Sequence, residues 1–304
     1  MTLDMASHIA QWNLSNTSGR CREAQCPISD IRALIRANDD LPPLPEIARR
    51  LMRFRTDPNA SAVGLAEIVE LDPLLAGQML RWANSAYYGL RAPTESVRDA
   101  IVRVLGFNNA LALALALAAL RPLDTPNQGP IGRDRLWRHG LQCGSLMREL
   151  AAALPDDRRP ASSMIQLAGL TQNIGYLLLG HLLPDAFRLL SHLIEHNPTL
   201  TLPSLDRLVL GIEHGQLGHW LFEVWDMPLA LQAVARHHHN PGYEGEHATL
   251  VLLTALADSL LHEVQPGLGA RPIETDSREP LLARLGLDAA LCTTALERMR
   301  TPEE

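Results

Sequence analysis

The sequence predicts an all-α protein made of two packed helical halves, and three observations carry that expectation. Of 304 residues, 46% are apolar but only 4% aromatic, so the apolar mass is chiefly Leu and Ala, both strong helix formers. Apolar residues recur at three- and four-residue spacing, with no persuasive strand alternation and no repeat at solenoid periods. Ser, Asp, Pro and Gly stand where helices would be capped, opened or ended. The length is ample for a sizeable core.

Taken in order, residues 1–29 are polar and irregular and read as a poorly ordered N-terminal arm. The first half spans 30–122. Its segment LPPLPEIARRLMRF puts Pro45 in a first turn, with Ile47, Leu51 and Phe54 on one face. Ser61 is placed to cap a helix through Leu65, Ile68 and Val69, and Asp72-Pro73 to open LLAGQMLRWANSAYYG. Ser96 caps VRDAIVRVL, which Gly106 ends. The run NALALALALAAL at 109–120 alternates like a strand, but both residue types prefer helix. It reads as a buried helix, too short to span a bilayer.

LDTPNQGPIGRD, at 123–134, is rich in turn formers and reads as a link between the halves. The second half, 134–262, is helical throughout. Residues 263–304 form a C-terminal extension with one short helix, LLARLGLDAALCTTALERMR. Within the second half, LAGLTQNIGYLLLG at 167–180 reads as one helix, apolar nearly all round and therefore buried. It nevertheless carries Thr171, Gln172 and Asn173 in a row. Polar groups in a core need hydrogen-bond partners or cost about 1–3 kcal/mol each.

Charge and composition exclude several functions. The formal net charge of −7 argues against nucleic-acid binding. All 27 cationic residues are Arg, so neither a Walker-A lysine nor Schiff-base chemistry is available. Cys21, Cys26, Cys143 and Cys292 form no CxxC pair, which suits a reducing cytoplasm better than disulfides or a thiolate metal site. Without a signal-peptide pattern or a membrane span, a cytoplasmic protein is expected.

Eleven of the twelve histidines lie beyond residue 138. The set that matters is His139 on one helix, His214 opening another, His237-His238-His239 ending a third, and Asp258 inside apolar ALADSLL. Imidazole and carboxylate groups on separate helices are what a helical bundle needs to gather a metal ion. The alternative is that Asp258 and His139 bond each other in the core, since a buried carboxylate needs a partner. Which of the three consecutive histidines turns inward stays open.

These residues carry a resemblance. The order LWRH (136–139), AGLTQNIGYLLL (168–179), EHGQLGHWLFEVWDMP (213–228), ARHHHNP (235–241) and LADS (256–259) is similar to the HD superfamily of metal-dependent phosphohydrolases. Where that family has its His-Asp pair, this sequence has Gln172-Asn173. The segments LPPLPEIARRLM, LDPLLAGQMLRWANSAYYG and SVRDAIVRVLGFNNAL extend the likeness, over about 30–262, to the HDOD family of bacterial signalling proteins. The resemblance implies that the second half is a degenerate HD-type helical bundle. It also implies a non-catalytic, regulatory role in a stand-alone module that contacts other signalling proteins.

An Asn amide oxygen is a poor divalent-metal ligand, and Gln removes an imidazole outright. Neither a catalytic residue nor a cofactor is therefore expected. His139, His214, His238, His239 and Asp258 remain as a vestigial set for one divalent metal ion. The runner-up function is an altered phosphohydrolase or a sensor of a small nucleotide such as a cyclic dinucleotide. Trp82, Asn84, Ser85, Tyr87 and Tyr88 form the candidate interaction surface, or else a capped helix end whose aromatics pack between the halves. Arg49, Arg50, Arg53 and Arg55 read as a solvated face, and Trp220 and Trp225 as core.

Overall fold

The computed structural model describes residues 42–85, 88, 90, 92–264, 268, 271–274 and 277–300. The expected N-terminal arm, Cys21, Cys26 and Tyr87 lie outside them. The upstream half comprises α1 (Glu46–Arg55), α2 (Ala62–Glu70), α3 (Pro73–Ala83), α4 (Val97–Asp99, continued as a π-helical segment over Ala100–Leu105) and α5 (Phe107–Leu120). The predicted caps are present. Ser61 Oγ accepts from the Gly64 N–H at 3.2 Å, Asp72 Oδ1 from Leu74 and Leu75, and Ser96 Oγ from Asp99. Gly106, at φ +72°, ends the π-helical segment in a conformation that costs other residues strain.

The Leu/Ala run is indeed a helix, and every residue from Ala110 to Leu120 is buried. Such a helix must be covered on all sides. α1 and α3 of its own half cover it, as does α7 (Ser162–Thr171) of the downstream half, so the two halves share one apolar core. The connection 123–134 is packed rather than loose. Leu123, Thr125 and Ile131 are buried, Thr125 Oγ1 donates to the Leu177 carbonyl at 2.7 Å, and Asn127 Nδ2 donates to Asp134 at 2.9 Å.

The downstream half adds α6 (Arg133–Ala151), α8 (Ile174–Leu182), α9 (Pro184–His196), α10 (Leu202–Leu210), α11 (His214–Val224), α12 (Leu229–His237) and α13 (Ala248–Val264). Two expectations need correction. LAGLTQNIGYLLLG is two helices, α7 and α8, broken at Gln172-Asn173, with Asn173 at φ −94°, ψ 19°. Likewise the C-terminal segment forms α14 (Arg278–Leu285) and α15 (Ala289–Arg300), separated where Gly286 adopts the left-handed φ of +70°. α15 packs on α6 and α13. Among the described residues no strand forms, and one isolated bridge joins Thr201 to Arg271. Among them, too, no helix is long and apolar enough to cross a membrane.

α6 and α7 make the most intimate crossing. A Cβ on Gly169 would overlap the backbone of Gly144, and one on Gly140 would come within 2.9 Å of the Gly169 carbonyl oxygen. Backbone cannot yield as a side-chain tip can, so overpacking here costs about 1–3 kcal/mol or more. Gly169→Ala is expected to lose at least that much in urea denaturation. Gly77→Ala, on open α3 surface, is expected to gain about 0.5–1 kcal/mol from helix propensity.

Candidate functional site

Four helices deliver the predicted ligands to one place. His214 is the first residue of α11, His238 closes α12 with His239 directly after it, His139 lies on α6 and Asp258 on α13. The approach of α11 to α8 depends on Gly175, where any Cβ would overlap the His214 carbonyl. The three consecutive histidines divide: His238 and His239 turn inward, and His237 faces away to stack on Tyr243 with ring centroids 4.5 Å apart.

Three imidazoles converge through their Nε2 atoms. His214 Nε2 lies 3.3 Å from His238 Nε2 and 3.3 Å from His239 Nε2. Two of the rings have their other nitrogen fixed. His214 Nδ1 donates to Asp206 Oδ2 at 2.5 Å, and His238 Nδ1 faces the carbonyls of Val234 (3.0 Å) and Ala235 (3.1 Å). A proton on Nδ1 leaves Nε2 bare, so these tautomers point lone pairs at one another. Burial, then the neighbouring His214, pulls the His238 pKa down to about 3. Burial, then His238 and His214, holds His239 well below the usual imidazole value. Both rings are neutral near pH 7.

Asp206 and Tyr176 complete the arrangement. Asp206 is 0% exposed and accepts three hydrogen bonds: the His214 ring, the His214 backbone N–H at 3.0 Å, and the Tyr176 hydroxyl at 3.0 Å. The Tyr176 ring stacks on His214 at 3.9 Å. Sequence reasoning missed Asp206. The signal was there, since in LPSLDRLVL it falls on the apolar stripe of Leu202, Leu205 and Leu210.

His139 and Asp258 form a separate pair, with Nε2 2.7 Å from Oδ1 and both side chains buried. Burial pushes the Asp258 carboxyl up, but His139 outweighs it and holds the group below its ordinary value. Its Oδ2 lies 4.0 Å from His239 Nδ1. The core thus holds a His139–Asp258 pair beside a cluster of three imidazoles. Gln172 lies against the buried Cys143 thiol, whose pKa burial and then Asp258 raise, so Cys143 stays protonated. Apart from that contact with the Cys143 thiol, the amide atoms of Gln172 and Asn173 have no hydrogen-bond partner among the described residues, although both residues are buried. Asn173 instead lines a cleft between the two halves.

The HDOD domain family model matches residues 41–241. The chain belongs to the HDOD family. A crystal structure from Marinobacter aquaeolei VT8, described as a candidate signal transduction protein, is 32% identical with a TM-score of 0.75, covering 97% of this chain and 63% of that one. An HDOD domain protein of Geobacter sulfurreducens is 22% identical with a TM-score of 0.68, over 90% and 95% of the two chains. A structure from Shewanella amazonensis SB2B, described as a candidate phosphohydrolase, shares 20% identity and a TM-score of 0.61, over 87% and 93%. At those last two identities the likeness is one of fold. Among curated proteins, an uncharacterized protein of Treponema pallidum (strain Nichols) is 26% identical over 261 residues, which are 84% of this chain and 48% of that protein. The chain thus spans about half the length of the treponemal relative and less than two thirds of the Marinobacter one.

Of the interaction surface expected in this HDOD chain, Trp82 is half-buried against Trp137, with centroids 5.6 Å apart, and Ser85 Oγ donates to the Trp82 carbonyl. Asn84 closes α3 and clasps Thr94, donating to its carbonyl at 2.8 Å and accepting from its N–H at 2.7 Å. Tyr88 is half-buried. Trp225 is core, whereas Trp220 is only partly buried.

The neutral imidazoles make acid stability a direct readout. Above the unfolded value of about 6.5 they are neutral in both states and contribute no pH dependence. Below it the unfolded chain binds protons that the folded chain refuses, so stability falls, until His238 protonates in the fold near pH 3. In chelator-treated protein the unfolding free energy is expected to drop between pH 7 and pH 5 by up to about 1.4 kcal/mol per pH unit for each such histidine. His238→Gln should flatten that slope.

Proposed function

We propose that this HDOD protein is a regulatory signalling module that acts through contact with other proteins and does not hydrolyse a phosphoester. The observation that carries the reading is the neutral Gln172-Asn173 pair at the position where the resemblance calls for His-Asp. Hydrolysis by an HD-type centre needs a carboxylate that holds metal and helps generate hydroxide. Here Asn173 supplies an amide, Gln172 no imidazole, and Asp258 is engaged with His139. The Marinobacter relative's description supports a signalling role.

Among the described residues, five of the nine large apolar side chains that stay exposed, Val63, Leu71, Leu74, Leu90 and Val102, belong to the upstream half, which favours that half as the contact surface. Leu74→Asp with Val102→Asp is expected to abolish co-purification of the native partner with a natively folded chain; unchanged co-purification excludes this surface. Protein loaded with Mn²⁺ or Zn²⁺ is expected to leave bis(p-nitrophenyl) phosphate and cyclic dinucleotides intact. Turnover that vanishes in His214→Ala would overturn the non-catalytic reading.

A second reading, a single metal ion on His214, His238 and His239, is favoured by the imidazole geometry. Nitrogens about 2.0–2.1 Å from a tetrahedral zinc stand roughly 3.3–3.4 Å apart, and two of the three Nε2 separations are 3.3 Å. The Asp206 carboxylate behind His214 is the outer-shell partner that metal-binding histidines use. Bound there, such an ion would supply a Lewis-acidic cross-link between α11 and the end of α12. The fit is to a mononuclear, imidazole-rich site, not to a carboxylate-bridged pair. Elemental analysis of tag-free protein is expected to find about one zinc-type ion per chain, lost in His214→Ala. A value near zero after metal is added back would make the cluster purely structural.

A further inference from the structure

Two exposed apolar side chains flank the place where the chain enters the described fold. Pro42 is the first described residue, and its carbonyl accepts from Trp225 Nε1 at 3.1 Å. Trp225 is buried, and so is Leu44, two residues after Pro42. The residues before Pro42 therefore depart beside the turn that joins α11 to α12. Val224 ends α11 on one side of that turn and is 49% exposed. Leu229 opens α12 on the other side and is 64% exposed, the highest value among the large apolar side chains described. Trp220, one helical turn before Val224, is only partly buried.

The sequence just upstream matches this surface. In ISDIRALIRA, at 28–37, Ile28, Ile31, Leu34 and Ile35 recur at the spacing of a helix with one apolar face. Arg32 and Arg36, four positions apart, share one flank of that stripe. On the surface, Glu223 and Asp226 are exposed on either side of Val224 and Trp225. Glu223 stands 3.7 Å from His219, and Asp226 has no ion-pair partner among the described residues. The chain between Ile35 and Pro42 spans at most roughly 25 Å. A segment tethered that closely meets Val224 and Leu229 at a high effective concentration.

We propose that residues 28–37 pack as an amphipathic helix on the Val224–Leu229 face, with Arg32 and Arg36 towards Glu223 and Asp226. The occupant is this chain's own segment, because the Pro42 anchor delivers an apolar stripe of complementary charge to this point. An isolated helix this short is marginal in water, so the helix and its docking form together. A protein partner that uses this face has to displace the segment first, whereas the exposed side chains of the upstream half stay open to contact.

The test is hydrogen exchange of the full chain, read by mass spectrometry on peptides covering 28–37, 220–231 and α5. Amides of 28–37 are expected to exchange at least about tenfold more slowly than a free chain. Leu229→Asp is expected to abolish that protection while α5 keeps its own. Leu229 is exposed and Asp suits the first turn of a helix, so the variant leaves the core intact. Glu223→Arg, and separately Arg32→Glu with Arg36→Glu, are expected to weaken the protection, and the combination to restore part of it. Free-chain exchange at 28–37 overturns the proposal. So does protection that Leu229→Asp leaves unchanged, or that Leu74→Asp removes instead. Protection that grows with protein concentration would make a second copy the occupant and overturn it as well.

Discussion

A carboxylate with no exposure to solvent organises the downstream half. Burying a charge costs several kcal/mol unless good hydrogen bonds replace water, and Asp206 accepts three, from the Tyr176 hydroxyl and from two N–H groups of His214. Those bonds tie α10 to α8 and to the first residue of α11. They also fix which His214 nitrogen carries hydrogen, and so which one faces His238 and His239. The convergence of imidazoles follows from this one anchor, from the Gly175 contact that brings α11 against α8, and from the backbone carbonyls that orient His238.

The Gln172-Asn173 pair has a different physical character. These residues sit where α7 ends and α8 begins, so they occupy a bend instead of the flank of one helix. Gln172 packs beside Cys143, towards Asp258 and the histidine side, while Asn173 borders the cleft between the halves. A His-Asp pair here would present two ligands to a metal. The amides present none of comparable strength.

The two halves are bound together by α5, whose Leu/Ala surface is buried on every side by helices of both. Helices from two segments of chain packed around one buried helix give a rigid interior. The shared core supplies that rigidity, since close-packed interiors deform little, and the cleft beside it is lined by residues of both halves.

The residue pattern alone determined a good deal about this protein. Leu and Ala content, with Ser61, Asp72, Ser96 and Gly106 at helix ends, specified helices because capping and propensity act within a few residues of chain. The His and Asp order likewise marked out the residues that the fold gathers. Tertiary structure decided the rest, because it turns on contacts between distant segments. Whether His238 or His237 faces inward depends on where α12 ends against α11. Asp206 acquires its role only when Tyr176, 30 positions earlier, and His214, 8 later, close around it. The break at Asn173 was hidden because its apolar neighbours keep helical spacing on both sides, and the hydrophobic period cannot register a bend that packing enforces.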